Sequence, residues 1–302
     1  MKKKTTQFIN PFTDFGFKKL FGEEENKDLL ISFLNTLLPD NHQIVTLTYK
    51  LSDQSGLTVF DRKAIYDLYC EGVGGSKFIV EMQKAKQTYF KDRALFYTTF
   101  PIQAQAKKGI KQEEDKIEWD FKLAPIYMVS VLDFVFDEDK KIPEGTVVYF
   151  VELKDQYNRP FYEKLLYIYL AMPRFNKTLI ELLTPQDNWL YILKNLPDLK
   201  EVPELFQRGI LSKVFKVADM ANLTREERRD YEQSVKQYRD LKNVTDTAFF
   251  DGKIEGKMEE KEETILNGHE EGFSADSLAR LTKLPVTEVL KIIQSGRNAL
   301  KN

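Results

Sequence analysis

Two short stretches of this sequence carry side chains that could do chemistry. They are Asp61-Arg-Lys-Ala-Ile-Tyr-Asp67 and Phe78-Ile-Val-Glu81-Met-Gln83. Both acids sit among apolar residues that read as strand. Strand interiors disfavour Asp, and carboxylates are rarely buried without a partner. If the two runs pair across the glycine-rich Gly72-Val-Gly-Gly-Ser76, the carboxylates of Asp67 and Glu81 can meet on one face. The period of two puts Gln83 on the same face as Glu81. Two carboxylates and the backbone carbonyl of Met82 would make a hard oxygen site of the kind Mg²⁺ accepts. Such a site suits phosphodiester hydrolysis, in which a metal polarises the phosphoryl oxygen and lowers the pKa of a bound water. The other reading is structural, with Asp67 and Glu81 paired to Arg62, Lys63 or Arg93. Residue types alone leave both open.

Composition narrows the chemistry. Cys70 is the single cysteine, and His42 and His269 are the two histidines. A Cys/His zinc site, a multi-His iron site and a histidine-based triad are all disfavoured. Any metal would be held mainly by carboxylates and carbonyls, which points to Mg²⁺ or Mn²⁺. The 302 residues are 42% hydrophobic and 30% charged, with a net charge of −2, as in a globular protein. An isolated cysteine and the lack of an apolar run long enough to cross a membrane lead us to expect a cytoplasmic protein.

Charge is uneven around the two acids. Residues 84–111 hold Lys84, Lys86, Lys91, Arg93, Lys107, Lys108 and Lys111 against Asp92 alone, seven minus one or +6. A helix with this charge could meet a phosphate backbone, or it could be an ordinary solvated face. Arg93 stands among Tyr89, Phe96 and Tyr97 at helical spacing, where it could brace Glu81 or touch a phosphate.

The elements that must position these residues follow from periodicity and breakers. A short helix capped by Thr13 or Asp14 is expected near residues 11–22, and a second over Lys27–Leu38 with Pro39 as its stop. Strands are expected over Ile44–Leu51, Thr58–Cys70, Phe78–Gln83, Pro125–Phe136 and Thr146–Leu153. A long helix is expected from about Gln87 to Lys107, kinked or interrupted at Pro101. Phe161–Ala171, Lys177–Leu183 and Trp189–Leu196 read as short helices, and Leu223–Asp240 as a charged one. This order argues for an α/β fold, a mixed sheet flanked by helices, with a helical C-terminal extension. We place a catalytic domain at 1–200, a helical extension at 201–250 and a charged linker with a helical hairpin at 251–302. Residues 251–272 carry eight acids and three lysines and read as a solvated helix or linker. Ser274 to Ile293 reads as helix, turn, helix, suited to self-association or to DNA.

A wider set of residues resembles a known family. Asp14-Phe-Gly-Phe-Lys-Lys-Leu-Phe-Gly22, Asp67, Val80-Glu-Met-Gln83, Tyr89-Phe-Lys-Asp-Arg93 and Tyr97 occur in order. Pro125-Ile-Tyr-Met-Val-Ser-Val-Leu-Asp133, Phe150-Val-Glu-Leu153 and Trp189-Leu-Tyr-Ile-Leu-Lys194 follow them. This ordered set resembles the PD-(D/E)XK nuclease family transposases, the recombination-promoting (Rpn-type) nucleases. The resemblance implies a restriction-endonuclease-like core and Mg²⁺-dependent cleavage of double-stranded DNA. It implies that Asp67 and Glu81 are metal ligands, and that Gln83 stands where the wider superfamily has lysine. Lys63 could then supply the missing cation. Asp14 could be the acid of the first helix or simply cap it.

Overall fold

The computed structural model describes residues 7–50, 53–54, 64–108 and 121–299. Contacts divide the chain into two units, Met1–Leu241 and Lys242–Asn302.

The first unit is built on a mixed sheet. Its elements, in chain order, begin with helices α1 (Asp14–Phe21) and α2 (Lys27–Asn35) and strands β1 (Leu47–Tyr49), β2 (Asp53–Gln54), β3 (Ala64–Ile65), β4 (Leu68–Gly72) and β5 (Lys77–Gln83). Helix α3 (Phe90–Lys108), strands β6 (Ile126–Leu132), β7 (Val148–Lys154) and β8 (Pro160–Ala171), and helices α4 (Pro185–Asn195) and α5 (Gly209–Ala218) follow. Helix α6 (Arg225–Glu270) starts in this unit. Six strands form one sheet in the order β1-β4-β5-β6-β8-β7, while β2 and β3 make a separate two-stranded ladder. Strands β5, β6 and β8 run parallel, and the other neighbours are antiparallel. The expected α/β architecture of a mixed sheet with flanking helices is present.

The sheet centre is buried on both faces. Every residue of β6 is buried, as a central parallel strand covered on both sides requires. On one face Phe17, Phe21, Phe33, Trp189 and Phe215 pack against Phe78, Val80, Val129 and Ile168. On the other, Phe90 and Ala94 of α3 cover Tyr66, Ile79, Met128 and Tyr169.

Three expectations need correction. Residues 161–171 lie in strand β8 and not in a helix. Leu166, Ile168 and Leu170 enter one core cluster while Tyr167 and Tyr169 enter the other, which is the strand period of two. A continuous apolar run buried on both faces does not reveal its period. Lys177–Leu183 holds only a single 3₁₀ turn, Leu179–Glu181, and not a helix, and α4 starts afresh at Pro185 behind the Thr184 cap. Pro101 lies within an uninterrupted α3. Proline cannot bond the carbonyl of Tyr97, and the Tyr66 hydroxyl donates to that oxygen instead at 3.0 Å. Tyr66→Phe should therefore cost about 1 kcal/mol in urea unfolding. Pro101→Ala should recover most of that loss, because an alanine at this position supplies the missing N–H. An equal loss in both backgrounds would refute the exchange.

In the second unit, the α6 helix continues through residues 251–270, the stretch expected as solvated helix or linker. Helices α7 (Ala275–Thr282) and α8 (Val286–Ala299) follow, with Ser274 capping α7. Ile265, Leu278, Ala279, Val289 and Ile293 form their core. Leu290 and Leu281 lie outside it, 52% and 68% exposed.

Candidate functional site

The hairpin β4–β5 sets the geometry of the two acids. Its turn contains Gly74 and Gly75 with φ of 75° and 82°, a backbone region that favours glycine. The antiparallel ladder pairs Leu68 with Val80 and runs back to the turn, and the chain bends at Asp67. Asp67 then takes up the bonding that the ladder leaves. Its Oδ2 accepts from the Met82 N–H at 2.7 Å, while its own N–H donates to Glu81 Oε1 at 3.2 Å. Gln83 Nε2 donates to Glu81 Oε2 at 3.3 Å. The expected grouping of Asp67, Glu81 and Gln83 is thus present, with the two acids locked together through backbone N–H groups.

Glu81 is 3% exposed, and its pKa is pushed up to about 8 by burial and by the neighbouring Asp67 charge. Arg93 opposes this shift electrostatically. Asp67 is half-buried, and burial raises its pKa as well, with Asp14 adding to the effect. For both carboxylates burial outweighs the nearby cations, Arg93 for Glu81 and Lys18 and Lys84 for Asp67. Asp67 Oδ1 takes no hydrogen bond among the described residues. A hard divalent cation fits this donor set of two carboxylates and the nearby Met82 carbonyl. Among the described residues no cluster of three Asp, Glu, His or Cys side chains forms a fuller cage. Mg²⁺ is commonly held by one or two carboxylates and keeps several waters, so the smaller set is compatible with it.

Asp67 opens into a cavity of about 610 Å³. Asp14 lines the same cavity, from the first turn of α1. The cap of α1 is Thr13, whose Oγ1 accepts from the Gly16 N–H at 3.0 Å. Asp14 itself is half-exposed and pairs with Lys18 at 3.2 Å. Gly16 fixes this end of α1, because a Cβ there would lie 2.0 Å from the Asn10 carbonyl oxygen.

The expected cations divide. Lys84 is half-buried, close enough for Asp14 and Asp67 to stabilise its charge, although desolvation lowers its pKa overall. The Arg93 guanidinium lies 5.5 Å from the ring centres of both Phe90 and Tyr97, and among the described residues its buried Nη2 has no hydrogen bond. Lys86 and Lys91 are drawn elsewhere, to Asp137 and Glu138. Arg62, Lys63 and Lys111 lie outside the described residues, as do the side chains of Lys107 and Lys108.

Sequence reasoning missed several polar neighbours. Ser130 is fully buried, its Oγ has no partner among the described residues, and it lies beside Glu81 in the parallel register of β5 and β6. A lone serine inside the apolar run Ile126–Leu132 was the available signal. Lys19 and Lys50 line the cavity with Asp67, and so do four residues of α6. They come from three separate regions of the chain, so no local pattern unites them.

No curated protein and no solved structure gives a significant match to this chain. Its residues 11–248 match the family model described as PD-(D/E)XK nuclease family transposase, so the chain belongs to that nuclease family.

Proposed function

We propose that this protein is a metal-dependent DNA endonuclease that serves DNA recombination or mobile elements. The carrying observation is the interlocked pair of raised-pKa carboxylates, a buried Glu81 and an Asp67 that lines an open cavity. Asp67, Glu81 and the Met82 carbonyl would hold Mg²⁺ or Mn²⁺. When bound, the cation would act as a Lewis acid on the phosphoryl oxygen and lower the pKa of a coordinated water.

The chain's own groups would do the rest. Gln83, tethered to Glu81, can orient the attacking water with its remaining amide hydrogen or its carbonyl oxygen. Lys84 supplies positive charge near Asp67, where a phosphate oxygen would approach. Arg93 holds the Glu81 charge in place from α3. A phosphate-backbone interface of Lys84, Lys86, Lys91 and Arg93 requires that Lys86 and Lys91 leave their acidic partners for phosphate.

Cavity charge gives the reading a further test. Lys18, Lys19 and Lys50 face Asp14, Glu23, Asp67 and Asp230, three cations against four carboxylates. Phosphate should therefore be repelled until a divalent cation changes the local sign. DNA affinity should rise at least about tenfold when Ca²⁺ is added in place of chelator. Equal affinity in both conditions would contradict binding at this cavity.

We further assign the protein to the cytoplasm, duplex DNA as its substrate and the C-terminal helices to self-association. We keep the division at 1–200, 201–250 and 251–302. Truncation after residue 250 should preserve metal-dependent cleavage and change oligomeric state. Loss of metal binding in a folded truncation would refute that division. The direct test of activity is conversion of supercoiled plasmid with Mg²⁺ or Mn²⁺. Stoichiometric metal binding and DNA binding without cleavage under any divalent metal would favour a degenerate, non-cutting nuclease fold.

A further inference from the structure

The cavity beside Asp67 has two unlike walls. One carries the lysines and carboxylates of α1, β1 and the segment after it. The other is α6, which contributes one carboxylate, Asp230, and three uncharged polar residues, Gln233, Ser234 and Gln237. Helix α6 is fixed against the start of the chain by three contacts. Tyr231 Oη accepts from the Asn10 N–H at 2.9 Å, and Ser234 Oγ accepts from the Phe15 N–H at 3.1 Å. Glu227 pairs with Lys19 at 2.6 Å.

Gln233 and Gln237 thus stand on a held surface. They are one helical turn apart on the same face, about 6 Å along the axis. Both are exposed, and among the described residues neither side chain has a hydrogen-bond partner. The cavity lysines, by contrast, are engaged. Lys18 pairs with Asp14, Lys19 with Glu23 and Glu227, and Lys50 with Glu71.

A carboxamide presents a donor and an acceptor side by side. Phosphate offers only acceptors, so it uses half of that pair. A base edge can use both. Adenine matches best, with N6 as donor and N7 as acceptor in the major groove.

We propose that α6 is a base-reading wall, in which Gln233 and Gln237 hydrogen-bond base edges of the DNA held at Asp67 and favour adenine. This rests on reading the cavity as the DNA site. It adds a sequence preference and assigns it to two residues remote in the chain from the acids. An axial spacing of about 6 Å places the two contacts one or two base steps apart, given a rise of about 3.4 Å per step.

The experiment is selection from a random duplex pool by the full-length protein in Ca²⁺, followed by sequencing of the bound fraction. Cleavage of the same pool in Mg²⁺ or Mn²⁺ is scored beside it. Wild type should enrich adenine at two positions one or two steps apart, by roughly five- to 150-fold each. Gln233→Ala should erase one enrichment and Gln237→Ala the other, with folding checked by circular dichroism. Gln237→Glu should shift its position toward cytosine, because a carboxylate accepts from cytosine N4. A misfolded protein could not produce that shift.

The outcomes separate the two ideas. Gln-dependent enrichment without cleavage keeps the base-reading wall and overturns the nuclease reading. Cleavage with a base profile unchanged by the substitutions overturns the wall and keeps the nuclease. Absence of DNA binding in every condition overturns both.

Discussion

Glu81→Gln should stabilise the metal-free protein and abolish its cleavage. Wild-type Glu81 has a folded pKa of about 8 because it is buried beside Asp67. An unfolded glutamate titrates near its ordinary value of 4.5. Between these values the folded state holds a proton that the unfolded state releases. Stability of the metal-free protein should therefore fall as pH rises from about 4.5 to 8, and level off above that window. Glutamine mimics the protonated acid, so it removes this slope. At pH 8.5 the variant should be more stable by an amount on the order of 1–3 kcal/mol, and the gain should vanish near pH 4.5. Cleavage should drop by at least about 10²–10³-fold, since one anionic ligand is gone. Saturating Mn²⁺ should protect wild type more than the variant. Chemical denaturation across pH, with and without metal, reads all of this. A variant less stable than wild type at pH 8.5 would show that Glu81 is held ionised by an ion pair, as in the structural reading.

Gln83→Lys should leave cleavage intact or raise it. The wild-type amide lies 3.3 Å from Glu81 Oε2, so an ammonium there would face Glu81. It would lower the Glu81 pKa and supply charge for the phosphoryl transition state. Lys63 is the proposed source of that charge in wild type. Lys63→Ala should reduce cleavage by about 10²–10³-fold while changing DNA affinity much less. In the Gln83→Lys background the same substitution should cost little, because the cation has been replaced. Full activity of Lys63→Ala alone would remove Lys63 from the mechanism. A strict activity gain in Gln83→Lys from an inactive wild type would establish that this chain has lost catalysis.

The grouping of Asp67, Glu81 and Gln83 was legible because it needs only local rules. Two adjacent apolar strands, a glycine turn and the period of two bring those residues together. The bend at Asp67 was not legible. It arises because the Asp67 carboxylate captures the Met82 N–H where the ladder ends. The placement of Ser130 beside Glu81 depends on the parallel register of β5 and β6, which sequence spacing cannot supply. Strand β8 was misread because Leu165 to Ala171 is apolar at nearly every position. Its two-faced burial becomes visible only with helices above and below. Lys86 and Lys91 looked like one cationic face with Arg93, but Asp137 and Glu138 come from beyond β6 to pair with them. The α6 wall had no local signal, since its place beside Asp67 is set by contacts of Tyr231 and Ser234 with residues more than 200 positions earlier.

Isothermal titration of Mn²⁺ into wild type and Asp67→Ala, with plasmid cleavage measured on the same preparations, tests the central claim most directly. One site per chain should bind Mn²⁺ in wild type with release of protons below about pH 8, because the Glu81 carboxyl starts with its pKa pushed up to about 8. Asp67→Ala should lose that binding and the cleavage together, while its fold persists. Metal binding and cleavage that survive in Asp67→Ala would contradict the claim that Asp67 and Glu81 form the metal centre.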